Sequence, residues 1–195
     1  MTLRPRLTVR ILIGAGLFFA SWAEALGGRL PPYEEQIFRA ANGASDSMRV
    51  PVRAVMQAGT FMTVPIAATI AFLAGRRRLA AKLLAGGTIA WVGAKAIKPL
   101  GGRQRPKGVL DEGVVLREKI EGDLGWVSGH TAVATTLAFA AGEELPRWTR
   151  PLLGSVVGTV GFGRMYVGAH LPHDVVGGVG LGMMVSSLLP LAEDR

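Results

Sequence analysis

The stretch GWVSGHTAVATTLAFAAGEELP, residues 125–146, sets a histidine at the mouth of a run that otherwise has the composition of a membrane helix. Ser128-Gly129-His130 stand immediately ahead of the apolar residues, so they are expected to form the first turn of a helix. Free N–H groups and the positive end of the helix dipole make such a turn an anion site, and Gly129 lets a phosphate approach the backbone closely. His130 then lies beside the bound anion, where it can donate a proton. Taken alone, the same residues read as a capping serine with a histidine bonded to a neighbouring helix. The choice between the two depends on which other residues of the chain reach the same place.

Apolar blocks of similar length recur on both sides of this stretch. The chain has 195 residues, 49% of them hydrophobic and 18% charged, with a mean hydropathy of +0.34. A helix needs about 20 mainly apolar residues to cross a bilayer, and six segments are candidates: 7–26, 54–75, 79–97, 131–142, 151–167 and 175–191. The fourth is short unless it begins near Trp126. The expected fold is all-α, an integral membrane protein built as a six-transmembrane-helix bundle in a single domain over residues 1–195. Tyr33, Ile37 and Phe38 fall at helical spacing with charges opposite, which predicts a short interfacial helix lying on the bilayer. The first segment has a rival reading as a signal peptide ending at Ala23-Glu24-Ala25, but its apolar run extends to Leu26 and nothing downstream resembles a secreted soluble domain.

Charge sets the expected orientation. Arg4, Arg6 and Arg10, then Arg76-Arg77-Arg78 with Lys82, then Arg147 and Arg150 all fall on one side if six spans alternate, and by the positive-inside rule that side is cytoplasmic, with both termini. Lys98, Arg103, Arg105, Lys107, Arg117 and Lys119 fall on the outer side, against the rule, and a concentration of positive charge there asks for an anion. The net charge of +8 carries no basic helix and no aromatic-basic interleaving, so nucleic acid is not an expected partner. With no cysteine, disulfides, thiolate zinc sites and a cysteine nucleophile are excluded.

Two further pieces reach the same outer surface. In KPLGGRQRP, Pro99 disfavours a helical Lys98 and Gly101-Gly102 break the chain beyond it, so Lys98 and Arg105 are expected on a loop; their ordinary reading is lipid-headgroup contact. In GRMYVGAHLPHDVVGG, Arg164 precedes His170 by six residues, Asp174 comes four after it, and Pro172 marks the turn into the last helix. An aspartate bonded to one imidazole nitrogen sets the tautomer and leaves the other nitrogen free as base or nucleophile. Asp174 can equally be a helix cap, and His173 is an adjacent competitor. The three pieces together hold every histidine of the chain.

Lys98, Arg105 and Pro106 match K-x-x-x-x-x-x-R-P, Ser128-Gly129-His130 match the last three positions of P-S-G-H, and Arg164, His170 and Asp174 match R-x-x-x-x-x-H-x-x-x-D. In order and spacing these resemble the three signature motifs of the type 2 phosphatidic acid phosphatase family, over residues 32–191. The resemblance implies a metal-independent lipid phosphatase of the plasma membrane, with its site on the outer face and no cofactor, acting on a phosphomonoester or diphosphate headgroup through a phosphohistidine. It implies catalytic roles for His170, His130 and Asp174 and phosphate binding by Lys98, Arg105, Ser128, Gly129 and Arg164. The chain departs from the pattern at Val127, where proline is usual, and at Gly163, where serine is usual and one hydroxyl contact to phosphate is lost. A phosphotransferase using the same site is the alternative enzyme. Vanadate-dependent haloperoxidases share the motifs but are larger and soluble, and a silent binder of anionic lipid leaves the histidines and Asp174 unexplained.

Overall fold

The computed structural model describes residues 5–110 and 112–193; Arg4 and the side chain of Arg6 lie outside the described residues. Among the described residues nine α-helices succeed one another: α1 (Pro5–Leu26), α2 (Pro32–Asn42), α3 (Arg49–Met56), α4 (Thr63–Leu73), α5 (Arg77–Gly101), α6 (Pro106–Val109), α7 (Gly129–Glu144), α8 (Thr149–Tyr166) and α9 (Pro172–Glu193). Helix α7 is the hub, packed against α5, α8 and α9, while α1 lies along the outside of α9 and α4 along α5. It has no polar face to show to water: Thr131, Thr135 and Thr136 are as buried as Ala132, Val133 and Leu137. A helix buried all round is the outcome that the continuous Ala-Thr-Val composition of this stretch dictates.

Glycine sets how closely these helices meet. A Cβ on Gly180 would stand 2.6 Å from the Gly14 carbonyl oxygen and 2.6 Å from the Phe18 nitrogen, so α1 and α9 touch backbone to backbone. Trp126 closes the same end of the core, its indole N–H donating to Ser21 Oγ at 3.1 Å.

The helices stand where the six apolar blocks predict them, with three corrections. The second block is a broken element, α3 and a short 3-10 turn leading to α4, bent by 70°. Among the described residues, only 7–26 of α1 is by itself long and apolar enough to cross a bilayer, and the bent pair passes when counted as one. The hydropathy of α7 and α8 is lowered by their threonines and glycines and by Arg150 and Arg164, and α7, with 16 residues, starts at Gly129 rather than near Trp126. The third correction concerns α2. The helix exists, and Tyr33 and Ile37 are exposed, but Phe38 is fully buried and so is Glu34, from the face expected to be polar. Helix α2 packs against α8 and α9, and Phe38 joins Leu110 and Leu171 in a small core of their own.

The segment between α6 and α7 is pinned by polar anchors. The Asn42 amide donates to the carbonyls of Val115 at 2.9 Å and Tyr166 at 3.0 Å and accepts from the Val115 N–H at 2.8 Å. Arg117 donates to the Asn42, Tyr166 and Ala44 carbonyls, pairs with Asp46 and lies over the Tyr166 ring. Part of the positive charge between α5 and α7 is therefore structural: Arg117 holds this loop, and Arg103 is bound to Glu34.

Candidate active site

Lys98 is helical, in the last turn of α5, and not on a loop. Pro99 costs one backbone hydrogen bond there, and the helix gives way to Gly102, whose φ of 59° is left-handed and whose N–H returns to the Lys98 carbonyl at 3.3 Å. From that turn the ammonium donates to three carbonyls, Leu124 at 3.2 Å, Gly125 at 3.0 Å and Val127 at 3.1 Å. All three lie on the segment leading into α7, so Lys98 shapes the approach to Ser128-Gly129-His130. Burial first, then the neighbouring Arg105, lowers its pKa to about 8.

Arg105 lies just before α6 and spends its fork on backbone: Nε donates to Gly122 at 2.7 Å, Nη2 to Glu121 at 2.9 Å and Nη1 to Ala169 at 2.8 Å, the last being the residue before His170. Ser128 is the N-cap of α7, its hydroxyl accepting from the Thr131 N–H and Thr131 Oγ1, and its own N–H donates to the Asp174 carbonyl at 2.9 Å. Val127, which stands in the place of the motif's proline, is fully buried. The first turn of α7 and the first turn of α9 are thus joined by a backbone bond.

His170 lies in the turn between α8 and α9, and its Nδ1 is 3.4 Å from Asp174 Oδ2. The same oxygen accepts the Leu171 N–H at 2.9 Å, so Asp174 is both helix cap and histidine partner; the two readings of this residue are compatible. His173 is turned away, its ring beside Tyr33 and Glu34. Burial pushes the Asp174 carboxyl up to about 6, against the lowering effect of Arg103. His170 is held well below the usual histidine range by burial and then by Arg164, Lys98, Arg105 and His130.

His130 is brought down to about 3 by burial and by Arg164, Arg105 and Lys98. The same three cations act on both imidazoles, which is the sign that the three sequence pieces converge. Arg164, from the last turn of α8, donates Nη1 to Glu118 of the segment between α6 and α7, and its Nε is buried without a hydrogen-bond partner among the described residues. A side chain at Gly163 would run into Met56 Sδ at 2.8 Å and Val52 at 3.1 Å. The departure at 163 is therefore matched by close packing of α3 on α8, and not by an empty place beside the phosphate ligands.

Glu34, Arg103 and Glu118 belong to this neighbourhood, and Glu34 and Glu118 carry no local signal that reveals them. Arg103 sits inside the first motif, which marks it as worth testing, but its partner Glu34 is 69 residues away.

A family profile for the PAP2 superfamily matches residues 78–194. The chain belongs to the PAP2 superfamily. Among curated proteins, this PAP2 chain is 28% identical over 129 residues to an undecaprenyl-diphosphatase of Sulfolobus acidocaldarius, a match covering 66% of the chain and 62% of that relative's length. Two solved structures superpose well on this fold. LpxE of Aquifex aeolicus has a TM-score of 0.72 at 22% identity, over 80% of this chain and 93% of that one. The transmembrane PAP2 type phosphatidylglycerolphosphate phosphatase from Bacillus subtilis has a TM-score of 0.71 at 18% identity, over 93% and 96%. At those identities the two structures bear on the fold.

Proposed function

We propose that the protein is a lipid phosphate phosphatase, hydrolysing a phosphomonoester or diphosphate headgroup through a phosphohistidine on His170. The observation that carries this reading is the convergence of an Asp174-oriented His170 with His130 and the cations Lys98, Arg105 and Arg164, the last with a buried Nε placed to take a phosphate oxygen. With Nδ1–H of His170 donating its hydrogen bond to ionised Asp174, Nε2 keeps its lone pair and attacks phosphorus in line. The bond from phosphorus to the leaving oxygen breaks as that oxygen takes a proton from His130. Water, deprotonated by His130, then cleaves the phosphorus–nitrogen bond and releases inorganic phosphate. The three cations and the amide groups opening α7 stabilise the charge on the nonbridging oxygens. His130 is neutral while those cations are unopposed, so its proton arrives with the phosphate anion, whose charge offsets theirs.

Six membrane crossings are part of the proposal, with residues 7–26, 54–75, 79–97, 131–142, 151–167 and 175–191 in the bilayer, both termini cytoplasmic and the site on the outer face of the plasma membrane. Superfamily membership and the fold shared with a transmembrane phosphatase support it. A site at headgroup level suits phosphatidic acid, phosphatidylglycerol phosphate, diacylglycerol pyrophosphate or a polyprenyl diphosphate. The short outer segments favour a small phosphate or diphosphate head on a long tail, and the undecaprenyl-diphosphatase relative agrees with that preference.

The test is phosphate release by detergent-solubilised protein from a panel of these lipids, with EDTA present, beside His170→Ala. Release that persists in EDTA and vanishes in the variant is expected. Loss of release on chelation, or an active His170→Ala protein, would refute the mechanism.

A further inference from the structure

We infer that Arg103 and Glu34 are positioning residues for the histidine–aspartate pair: their buried bridge, reaching from α2 to the start of α9, keeps Asp174 ionised and facing Nδ1 of His170.

Glu34 is 0% exposed, and Arg103 holds it through both terminal nitrogens, Nη1 to Oε1 at 2.9 Å and Nη2 to Oε2. The same Oε1 accepts the N–H of His173, the residue before Asp174, at 2.9 Å. The fork is thereby locked with Nη1 3.7 Å from Asp174 Oδ1. That oxygen is buried and has no hydrogen-bond partner among the described residues, so the guanidinium is the group that opposes its desolvation. A buried carboxylate without such a cation takes up a proton. Protonated Asp174 would donate to Nδ1 of His170 instead of accepting from it. The imidazole would then carry its proton on Nε2, the nitrogen that has to attack.

The charged groups around this pair have opposing effects. Asp174 faces Arg103, Glu34 and Lys98, with His170 on its other oxygen; His170 faces Arg164, Lys98, Arg105 and His130. His173 Nδ1 lies 3.1 Å from Glu34 Oε2. Removing the Arg103 charge leaves two buried carboxylates facing each other and raises the pH at which Asp174 protonates. Removing the Glu34 charge leaves the cation and lowers it. A bridge that only braced the fold would move neither. Indeed, buried ion pairs often contribute little to stability relative to apolar replacements.

The inference rests on the lipid phosphatase reading for the role of His170, but its test does not depend on turnover. The chain has 3 histidines, so protein labelled with ¹⁵N only in histidine gives three imidazoles whose tautomers can be tracked against pH. In the wild type, His170 is expected to carry its proton on Nδ1 above a transition near the Asp174 value of about 6. Arg103→Met should raise that transition by about one pH unit or more, with Arg103→Lys between, and Glu34→Gln should lower it. Phosphate release measured in parallel should show kcat/KM for Arg103→Met falling about fivefold at the wild-type transition and about tenfold a unit or more below it, with KM little changed. Arg103→Lys and Glu34→Gln keep charge and shape respectively, so the comparison survives if Arg103→Met does not fold. Transitions that coincide in all folded variants, or that move in the same direction for Glu34 and Arg103, would overturn the inference. If the transitions separate as expected while the wild type releases no phosphate from any lipid, the positioning role stands and the phosphatase reading falls.

Discussion

Replacing Lys98 with arginine should remove the alkaline limb of the pH–rate profile. The ammonium is ringed by the carbonyls of Leu124, Gly125 and Val127, yet burial and Arg105 bring its pKa from 10.5 to about 8. Below that pH Lys98 carries the positive charge that favours the phosphate; above it the charge is lost, and kcat/KM should fall about tenfold per unit. The acid limb should lie near 6, where Asp174 protonates. Both histidines are depressed below this range in the unliganded protein, so the limbs of kcat/KM, which reports the free enzyme, belong to Asp174 and Lys98. The two histidines alone would suggest a bell of different origin. Arginine keeps its charge throughout the accessible range, so Lys98→Arg should lower overall activity, by misfitting the three carbonyls, while its kcat/KM stays level from neutral pH to at least about 9.5. The assay is phosphate release at subsaturating lipid from acid to alkaline pH, corrected for enzyme inactivation at each pH. An alkaline limb that remains near 8 in Lys98→Arg would mean that another group titrates there.

The Glu118 carboxylate holds Arg164 Nη1 beside its unpartnered Nε, and its negative charge opposes a phosphate there. Glu118→Gln should therefore tighten inhibition by inorganic phosphate by about 1 kcal/mol, or about fivefold; weaker inhibition would show that Glu118 orients Arg164 rather than competing for it. Gly180→Ala places a methyl 2.6 Å from the α1 backbone and should cost about 1–3 kcal/mol, seen as a lower midpoint of thermal unfolding in detergent. An unchanged midpoint would argue that α1 does not dock on α9. His130→Ala should slow phosphate release but leave lipids with good leaving groups, such as diphosphates, less affected than monoesters; equal losses on both would deny it the role of acid.

Much of the geometry of the candidate site was legible because its pieces are local. The spacing from His170 to Asp174 is one turn at a helix start, so their contact needs no knowledge of the rest of the fold. Ser128 as a cap, and Gly129 and His130 in the first turn of α7, are implied by the switch to an apolar run. Lys98 lies on a helix rather than a loop because a proline near a helix end is tolerated when only one bond is lost before a left-handed glycine. Helix α2 was legible as a helix but not as one packed on α8 and α9: amphipathic spacing marks which residues share a face and cannot say which face is covered.

By itself, the sequence determined the all-helical class, the order of the helices and the three short motifs, since each depends on interactions within a turn or two of chain. Only the tertiary structure decided that Arg103 answers to Glu34 and Arg164 to Glu118, and that the second apolar block is bent. A buried charge takes whichever partner packing brings within a few ångströms, and that choice is made among segments tens of residues apart, after the helices have docked.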